Sequence, residues 1–184
     1  MNIHDASALI AGAIPDRGGV WADVGAGEGT FTRALVALLG PEARVYAVDR
    51  DAGALAAIDR WPASVRRQVT PVVGDFTKAF TLPGLDNESL DGILIANALH
   101  FVRDADTVLA RLVARVKPGG RVVFVEYDRR ARNPWVPYPI SVDDLPALAE
   151  SAGLSTPTVV GRRPSAYSGD LYAAFAERLG GERR

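Results

Sequence analysis

Acidic and amide side chains recur directly after apolar segments of this chain. Asp23, Asp49, Asp75 and Asn97 each close an apolar run, and Glu126 closes a fifth. Carboxylate and amide oxygens accept hydrogen bonds from hydroxyl and amino groups, so together they could bind a ligand rich in such donors. Each residue alone has a structural alternative, because an Asp after a strand can cap the next helix or begin a turn. Their joint occurrence favours one shared binding site.

A glycine loop follows the first of these acidic residues. Residues 23–29 read Asp-Val-Gly-Ala-Gly-Glu-Gly, and a helical period begins at Thr30. A strand, a glycine turn and a helix N-terminus present backbone N–H groups to a ligand that meets no Cβ. A dinucleotide loop needs G-x-G-x-x-G, whereas the spacing here is G-x-G-x-G, with Thr30 at the fingerprint position.

Apolar strands alternate with helical patterns, which predicts parallel β-α-β units and a doubly wound α/β sheet. The carboxyl ends of such strands meet at one edge of the sheet, where ligands bind. The last predicted strand is alanine-rich and could equally be a helix. The expected strands are 20–24, 44–48, 69–73, 90–96, 121–125, 156–160 and 171–176, and the expected helices are 5–14, 51–60, 142–152, one from Thr30, and one with Val108, Leu112 and Val116 on its apolar face.

Composition and charge exclude several classes of protein. The chain has 184 residues, a net charge of −1 and no cysteine. The near-neutral charge makes nucleic-acid binding unexpected. The lack of cysteine excludes disulfides and thiolate metal sites and fits a cytoplasmic protein, and no other metal site is predicted. No apolar run is long enough to span a membrane, and the N-terminus lacks the pattern of a signal peptide. We expect one domain over residues 1–184.

The motifs together resemble those of class I S-adenosylmethionine (SAM)-dependent methyltransferases, of the UbiE-like small-molecule type. The similar segments are 23–29, 48–49, 74–76, 91–101 and 117–123. The resemblance implies a three-layer Rossmann-like fold with seven strands in the order 3-2-1-4-5-7-6 and the last strand antiparallel. It also implies SAM as the cofactor, bound by Asp23, Gly25, Ala26, Gly27, Asp49, Arg50, Asp75, Phe76, Asn97 and Ala98.

The residue types at these positions suit an adenosyl ligand. Asp49, twenty residues beyond Gly29, can accept hydrogen bonds from both ribose hydroxyls. Asp75 can accept from the exocyclic amine of adenine, with Phe76 against the ring. The backbone of the glycine loop suits the amino-acid end of the ligand.

Methyl transfer from a sulfonium depends mainly on in-line placement, and a base is required only where the acceptor must lose a proton. His100, just after the fourth strand, is the candidate base, although packing or a local hydrogen bond is the simpler interpretation. We expect the acceptor to meet the N-terminal helix (1–16) and the loop 129–140. A planar or anionic small molecule would suit this loop, which is otherwise a solvated basic segment. The candidate acceptor-binding residues are Glu126, Tyr127, Arg129, Trp135 and Tyr138, with Arg130 and Arg132 adding charge.

Two other functions remain open beside a SAM-dependent methyltransferase that acts on a small molecule. The chain could be a catalytically silent SAM-binding regulator or subunit. The presence of all the acidic residues at the strand ends argues against this alternative. The chain could also be an NAD(P)-dependent oxidoreductase, against which Thr30 and Asp75 argue. Because the length leaves no room for an inserted substrate domain, we expect a homodimer or a partner protein to complete an open acceptor site.

Overall fold

The structure is a computed structural model that describes residues 1–15, 18–129, 131–165 and 169–180. Within these residues, seven strands form a single sheet in the order β3-β2-β1-β4-β5-β7-β6. Strands β1 to β5 run parallel, and β7 is antiparallel to both β5 and β6. The predicted fold class and strand order are therefore confirmed. The strands are β1 Val20–Val24, β2 Arg44–Asp49, β3 Val69–Val73, β4 Leu90–Ala96, β5 Val116–Asp128, β6 Thr158–Pro164 and β7 Asp170–Glu177.

Helices cover both faces of the sheet, because the central strands are apolar on both sides. In β4, Ile93 and Ile95 pack toward α5 and α6, whereas Leu94 packs toward α1 and α2. The α-helices are α1 Ile3–Ile10, α2 Thr30–Leu39, α3 Ala52–Leu55, α4 Ala63–Arg66, α5 Ala105–Val113 and α6 Leu145–Ser151, with 3₁₀ helices at Ala11–Ala13, Ala56–Arg60 and Leu99–Phe101. No helix in the described ranges is both long and apolar enough to cross a membrane.

Several element boundaries differ from the predicted ones. The helix expected to carry Val116 ends at Val113, because Val116 pairs with Leu90 and begins β5. The segment 51–60 is only partly α-helical, as α3 and a 3₁₀ helix divide it. Helix α6 begins at Leu145 instead of residue 142, since Pro146 is tolerated only in a first turn.

The alanine-rich segment 171–176 is a strand. It lies within β7, between β5 and β6, and its pairing with both neighbours overrides the helical propensity of alanine. Strand β6 begins at Thr158, two residues later than predicted, and β5 extends to Asp128. The longer β5 carries its polar C-terminal residues further toward the edge where the first strands end.

Candidate functional site

The glycine loop connects β1 to α2 through backbone conformations that favour glycine. Gly25, Gly27 and Gly29 have φ angles of 79°, 55° and 84°. The N–H groups of Gly25 and Ala26 both donate to Val48 O, at 2.8 and 3.0 Å. The end of β2 therefore holds the loop in place.

Two of these glycines fit tightly against neighbours, and one faces open space. A Cβ on Gly25 would lie 2.6 Å from the Cβ of Ala98, and a Cβ on Gly29 would lie 2.4 Å from the ring of Trp61. A Cβ on Gly27 would meet no described atom within 4 Å. Gly27 therefore leaves its backbone accessible to a ligand.

Asp49 connects the end of β2 to this accessible backbone. Its Oδ2 accepts from Gly27 N at 2.7 Å, and its Oδ1 accepts from Asp51 N at 2.9 Å. The cap of α3 is Asp51, whose Oδ1 accepts from Gly53 N and Ala54 N. Asp49 is therefore not the helix cap, and each of its oxygens keeps acceptor capacity for a ligand.

Asp23 lies in the protein interior beneath the glycine loop and not on the surface. It is almost completely buried, and its Oδ2 accepts from Thr32 Oγ1 at 2.6 Å. Its Oδ1 has no hydrogen-bond partner within the described part of the chain. Burial raises the pKa of Asp23 to about 7, the Thr32 hydrogen bond opposes this rise, and nearby Asp49 adds to it.

The end of β3 carries a carboxylate that is held by its own turn. Asp75 Oδ1 accepts from Thr77 N at 3.0 Å and from Thr77 Oγ1 at 2.6 Å. These hydrogen bonds hold the pKa of Asp75 below its usual value, so the side chain is ionised at neutral pH. The turn interpretation of Asp75 is correct, its Oδ2 lies 3.7 Å from Lys78 Nζ, and the residue lines the cleft described below.

Asn97 ends β4 in a conformation that is uncommon for a residue with a side chain. Its φ angle is 52°, and its N–H donates to Val125 O at 2.8 Å. The buried Oδ1 of Asn97 lacks a hydrogen-bond partner among the described residues. Buried acceptors are normally paired, so this oxygen is suited to receive a donor from a ligand.

His100 and Glu126 form a buried pair behind the end of β4. Glu126 is 1% exposed and His100 is 2% exposed. Glu126 Oε1 accepts from the N–H groups of Leu99 and His100 at 3.0 and 3.2 Å, and Oε2 lies 2.5 Å from His100 Nδ1. The structure thus places Glu126, predicted to contact an acceptor, in the interior, with its carboxylate already bonded.

The strand ends enclose a cleft of about 370 Å³ at the carboxyl edge of the sheet. This volume is within the range of small-molecule sites, roughly 300–1,000 Å³. Of the ten predicted cofactor-binding residues, eight line the cleft, while Asp23 and Ala26 do not. The eight are Gly25, Gly27, Asp49, Arg50, Asp75, Phe76, Asn97 and Ala98, and the lining residues that were not predicted are Asp51, Ala54, Gly74, Thr77, Phe101 and Val102.

The predicted acceptor loop runs beside this cleft. Tyr138 N donates to His100 O at 2.9 Å, which connects the loop to the 3₁₀ helix after β4. Trp135 is 80% exposed, Tyr127 is half-buried against the ring of His100, and Arg129 Nε donates to Ala131 O. Arg130 lies outside the described residues.

None of the described residues of the N-terminal helix lines the cleft. Helix α1 buries Ala6, Leu9 and Ile10 against α2 and the sheet, and Gly161 of β6 approaches Leu9 O closely. The expectation that this helix meets an acceptor therefore stays a prediction, and the packing of Ile3–Ile10 does not support it. Asp16, at the end of the expected segment, is outside the described residues.

Residues 22–122 match the protein family described as a methyltransferase domain. Demethylmenaquinone methyltransferase of Thermobifida fusca (strain YX) is 36% identical over 106 residues, which are 57% of this chain and 42% of that protein. The same enzyme of Streptomyces avermitilis is 40% identical over 65 residues, which are 35% of this chain and 25% of that protein. The match thus spans less than half the length of either curated relative.

Solved structures share the architecture over nearly the whole chain. The Burkholderia thailandensis 1,6-didemethyltoxoflavin-N1-methyltransferase, solved with 1,6-didemethyltoxoflavin and S-adenosylhomocysteine, has a TM-score of 0.71 at 25% identity, covering 97% of this chain and 78% of that one. An arsenic(III) S-adenosylmethionine methyltransferase of Chlamydomonas reinhardtii has a TM-score of 0.72 at 19% identity, covering 99% and 74%, and is similar in fold alone.

Proposed function

This chain belongs to the methyltransferase-domain family, and we propose that it transfers a methyl group from SAM to a small-molecule acceptor. The observation that carries the proposal is the convergence of Asp49, Asp75 and Asn97 on one cleft beside the open backbone of Gly27. These three side chains are far apart along the chain and end three different strands. Asp49 and Asp75 supply acceptors for the hydroxyl and amino groups of a nucleoside, and Asn97 supplies one for an ammonium group joined to it.

The residues present fit SAM part by part. Asp49, which already fixes Gly27 N, would accept from the ribose hydroxyls, and Asp75 would accept from the adenine amine next to Phe76. The unpartnered Asn97 Oδ1, within the described part of the chain, would accept from the ammonium group. Asp23 would support the loop from below. When bound, SAM supplies a methyl group on a positively charged sulfur.

Methyl transfer places modest chemical demands on the protein. The acceptor atom supplies the electron pair of the new bond to carbon, the sulfur retains the pair of the broken bond, and a proton leaves only if the acceptor carried one. In-line placement of the reactants can supply several kcal/mol. His100 is the proposed base for an acidic acceptor, which would have to reach its buried ring behind the residues that line the cleft. Because its Nδ1 is engaged by Glu126, proton acceptance would fall to Nε2.

The acceptor is proposed to be a small organic molecule that meets the loop after β5. Relatives named for demethylmenaquinone and 1,6-didemethyltoxoflavin support this class. Tyr127, Arg129, Trp135 and Tyr138 would contact it, with Glu126 acting through His100. The exposed ring of Trp135 supports the further proposal that a second copy or a partner protein covers this side. We also propose a cytoplasmic location, in line with the absence of cysteine from the sequence.

Thermal-shift measurements with SAM, S-adenosylhomocysteine, NAD and NADP test the donor. We expect SAM and S-adenosylhomocysteine to raise Tm, since a ligand at 100 times its Kd stabilises the native state by about 2.7 kcal/mol. A rise in Tm with NAD or NADP, but not with SAM or S-adenosylhomocysteine, would indicate an oxidoreductase instead. A methyl-transfer screen over small-molecule acceptors then separates the enzyme from a silent SAM-binding protein, for which no acceptor would be methylated.

A further inference from the structure

Phe101 exposes a large apolar surface inside the cleft. Its side chain is 57% exposed, although Leu99 and His100 beside it are buried. An aromatic ring that remains solvated forgoes the stabilisation that burial would give it. A ring presented in a concave site is therefore suited to be covered by a ligand.

Buried hydrogen bonds hold this ring in place. The centroids of the His100 and Phe101 rings are 4.3 Å apart, with an angle of 47° between their planes. His100 in turn is bonded through Nδ1 to Glu126, which also accepts from Leu99 N. The Phe101 ring thus has one side supported by His100, while much of its surface remains exposed to the cleft.

Phe101 lies on the β4 side of the cleft with Asn97, away from Asp49 and Asp75, the two groups proposed for the nucleoside. In the sheet order, β3 and β2 lie on one side of β1, and β4 lies on the other side. Asp75 and Asp49 follow β3 and β2, whereas Phe101 follows β4. The acceptor loop approaches from this same β4 side, through the hydrogen bond from Tyr138 N to His100 O.

We propose that Phe101 determines acceptor specificity by stacking on a planar conjugated acceptor. This inference rests on the proposed methyltransferase function and adds a substrate class to it. Aromatic rings stack favourably on flat conjugated systems, and a saturated molecule of the same skeleton lacks that contact. The contact with the buried His100 ring, which Glu126 fixes, restricts the Phe101 ring and so lowers the entropy lost on binding.

Calorimetric titration of the protein, saturated with S-adenosylhomocysteine, tests the proposal with two probes. The probes are 2-naphthol, which is planar, and decahydro-2-naphthol, which has the same skeleton but is saturated. We expect the wild type to prefer 2-naphthol by about 10-fold, which is the order of one aromatic contact. In Phe101→Leu, which keeps an apolar side chain of similar bulk, the preference should fall below about 3-fold. Phe101→Trp, which keeps an aromatic ring, should prefer 2-naphthol about as strongly as the wild type does.

Three outcomes would overturn the proposal. The first is a wild type that binds both probes equally, and the second is a Phe101→Leu variant with an unchanged preference. The third is a Phe101→Leu variant in which binding of SAM is weakened more than binding of S-adenosylhomocysteine, whose sulfur carries no charge, while the naphthol preference remains, because the ring would then contact the sulfonium. If the wild type binds no S-adenosylhomocysteine, the proposed function fails separately, and the two probes titrated into the free protein still decide the role of Phe101.

Discussion

The imidazole Nδ1 of His100 lies 2.5 Å from Oε2 of Glu126, and both side chains are buried. The other oxygen of Glu126 accepts from two backbone N–H groups of the 3₁₀ helix Leu99–Phe101. A single carboxylate at the end of β5 therefore fixes the segment that follows β4. The part of the cleft lining that follows β4 therefore depends on Glu126, which does not itself line the cleft.

Glu126→Gln should destabilise the protein measurably. The variant keeps the side-chain volume but loses the charge that strengthens the hydrogen bonds of Glu126 to Leu99 N, His100 N and His100 Nδ1. We expect a loss of about 1–3 kcal/mol in the free energy of unfolding, measured by urea denaturation at pH 7. The matched control is Glu177→Gln, which removes an exposed ion pair with Arg121 and should cost less than about 1 kcal/mol. Equal losses would contradict the role assigned to Glu126.

Asp23 should make the stability of the protein depend on pH. Burial raises its pKa from 3.8 to about 7. The native state therefore holds this proton more tightly than the unfolded state, so the free energy of unfolding falls as pH rises from about 4 and levels off above about 7. From pH 5 to pH 8, the free energy of unfolding of the wild type should fall by about 2–3 kcal/mol more than that of Asp23→Asn.

Urea denaturation of both proteins at several pH values measures this difference. Asn at position 23 keeps an acceptor for Thr32 Oγ1 and does not titrate, so the comparison isolates the carboxyl group. Parallel stability profiles for the two proteins between pH 5 and 8 would show that Asp23 does not titrate in this range.

Gly29→Ala should cost more stability than Gly84→Ala. Both glycines have positive φ angles, 84° and 74°, so both variants incur a similar backbone penalty of about 1 kcal/mol. Only at Gly29 would the new Cβ also meet the Trp61 ring, at 2.4 Å, which should add roughly 1–3 kcal/mol. Thermal denaturation followed by circular dichroism measures the difference between the variants. Equal Tm values would mean that Trp61 moves aside without cost.

Much of the fold could be predicted because its signals are local. Apolar runs, glycine turns and a helical period after Gly29 locate the strands and helices, and the resemblance supplied the strand order. Polar residues that end parallel strands must meet at one edge, so Asp49, Asp75 and Asn97 could be brought together before any coordinates. The predicted ends of helices and strands were less accurate where pairing with a distant strand decides the structure. Val116, which pairs with Leu90, is an example.

The direction of a side chain at a strand end could not be predicted in the same way. Spacing places Asp23 and Glu126 at the correct edge, but only the packed structure shows that both point inward. Phe101 was not predicted as a site residue, because here an apolar side chain is exposed where the sequence indicates a buried one. An apolar residue after a buried strand indicates core, and its exposure depends on the support from His100 and on the open space in front of it.

The measurement that tests the central claim most directly is the calorimetric affinity of Asp49→Ala for SAM. Removing the carboxylate that bonds Gly27 N and would accept from the ribose should raise the Kd by at least about 10-fold, since hydrogen bonds to charged groups contribute about 1.5–3 kcal/mol each. Asp59→Ala, an exposed residue outside the cleft, is the control and should bind as the wild type does. Circular dichroism should show that both variants are folded. A folded Asp49→Ala variant with an unchanged Kd for SAM would contradict the account.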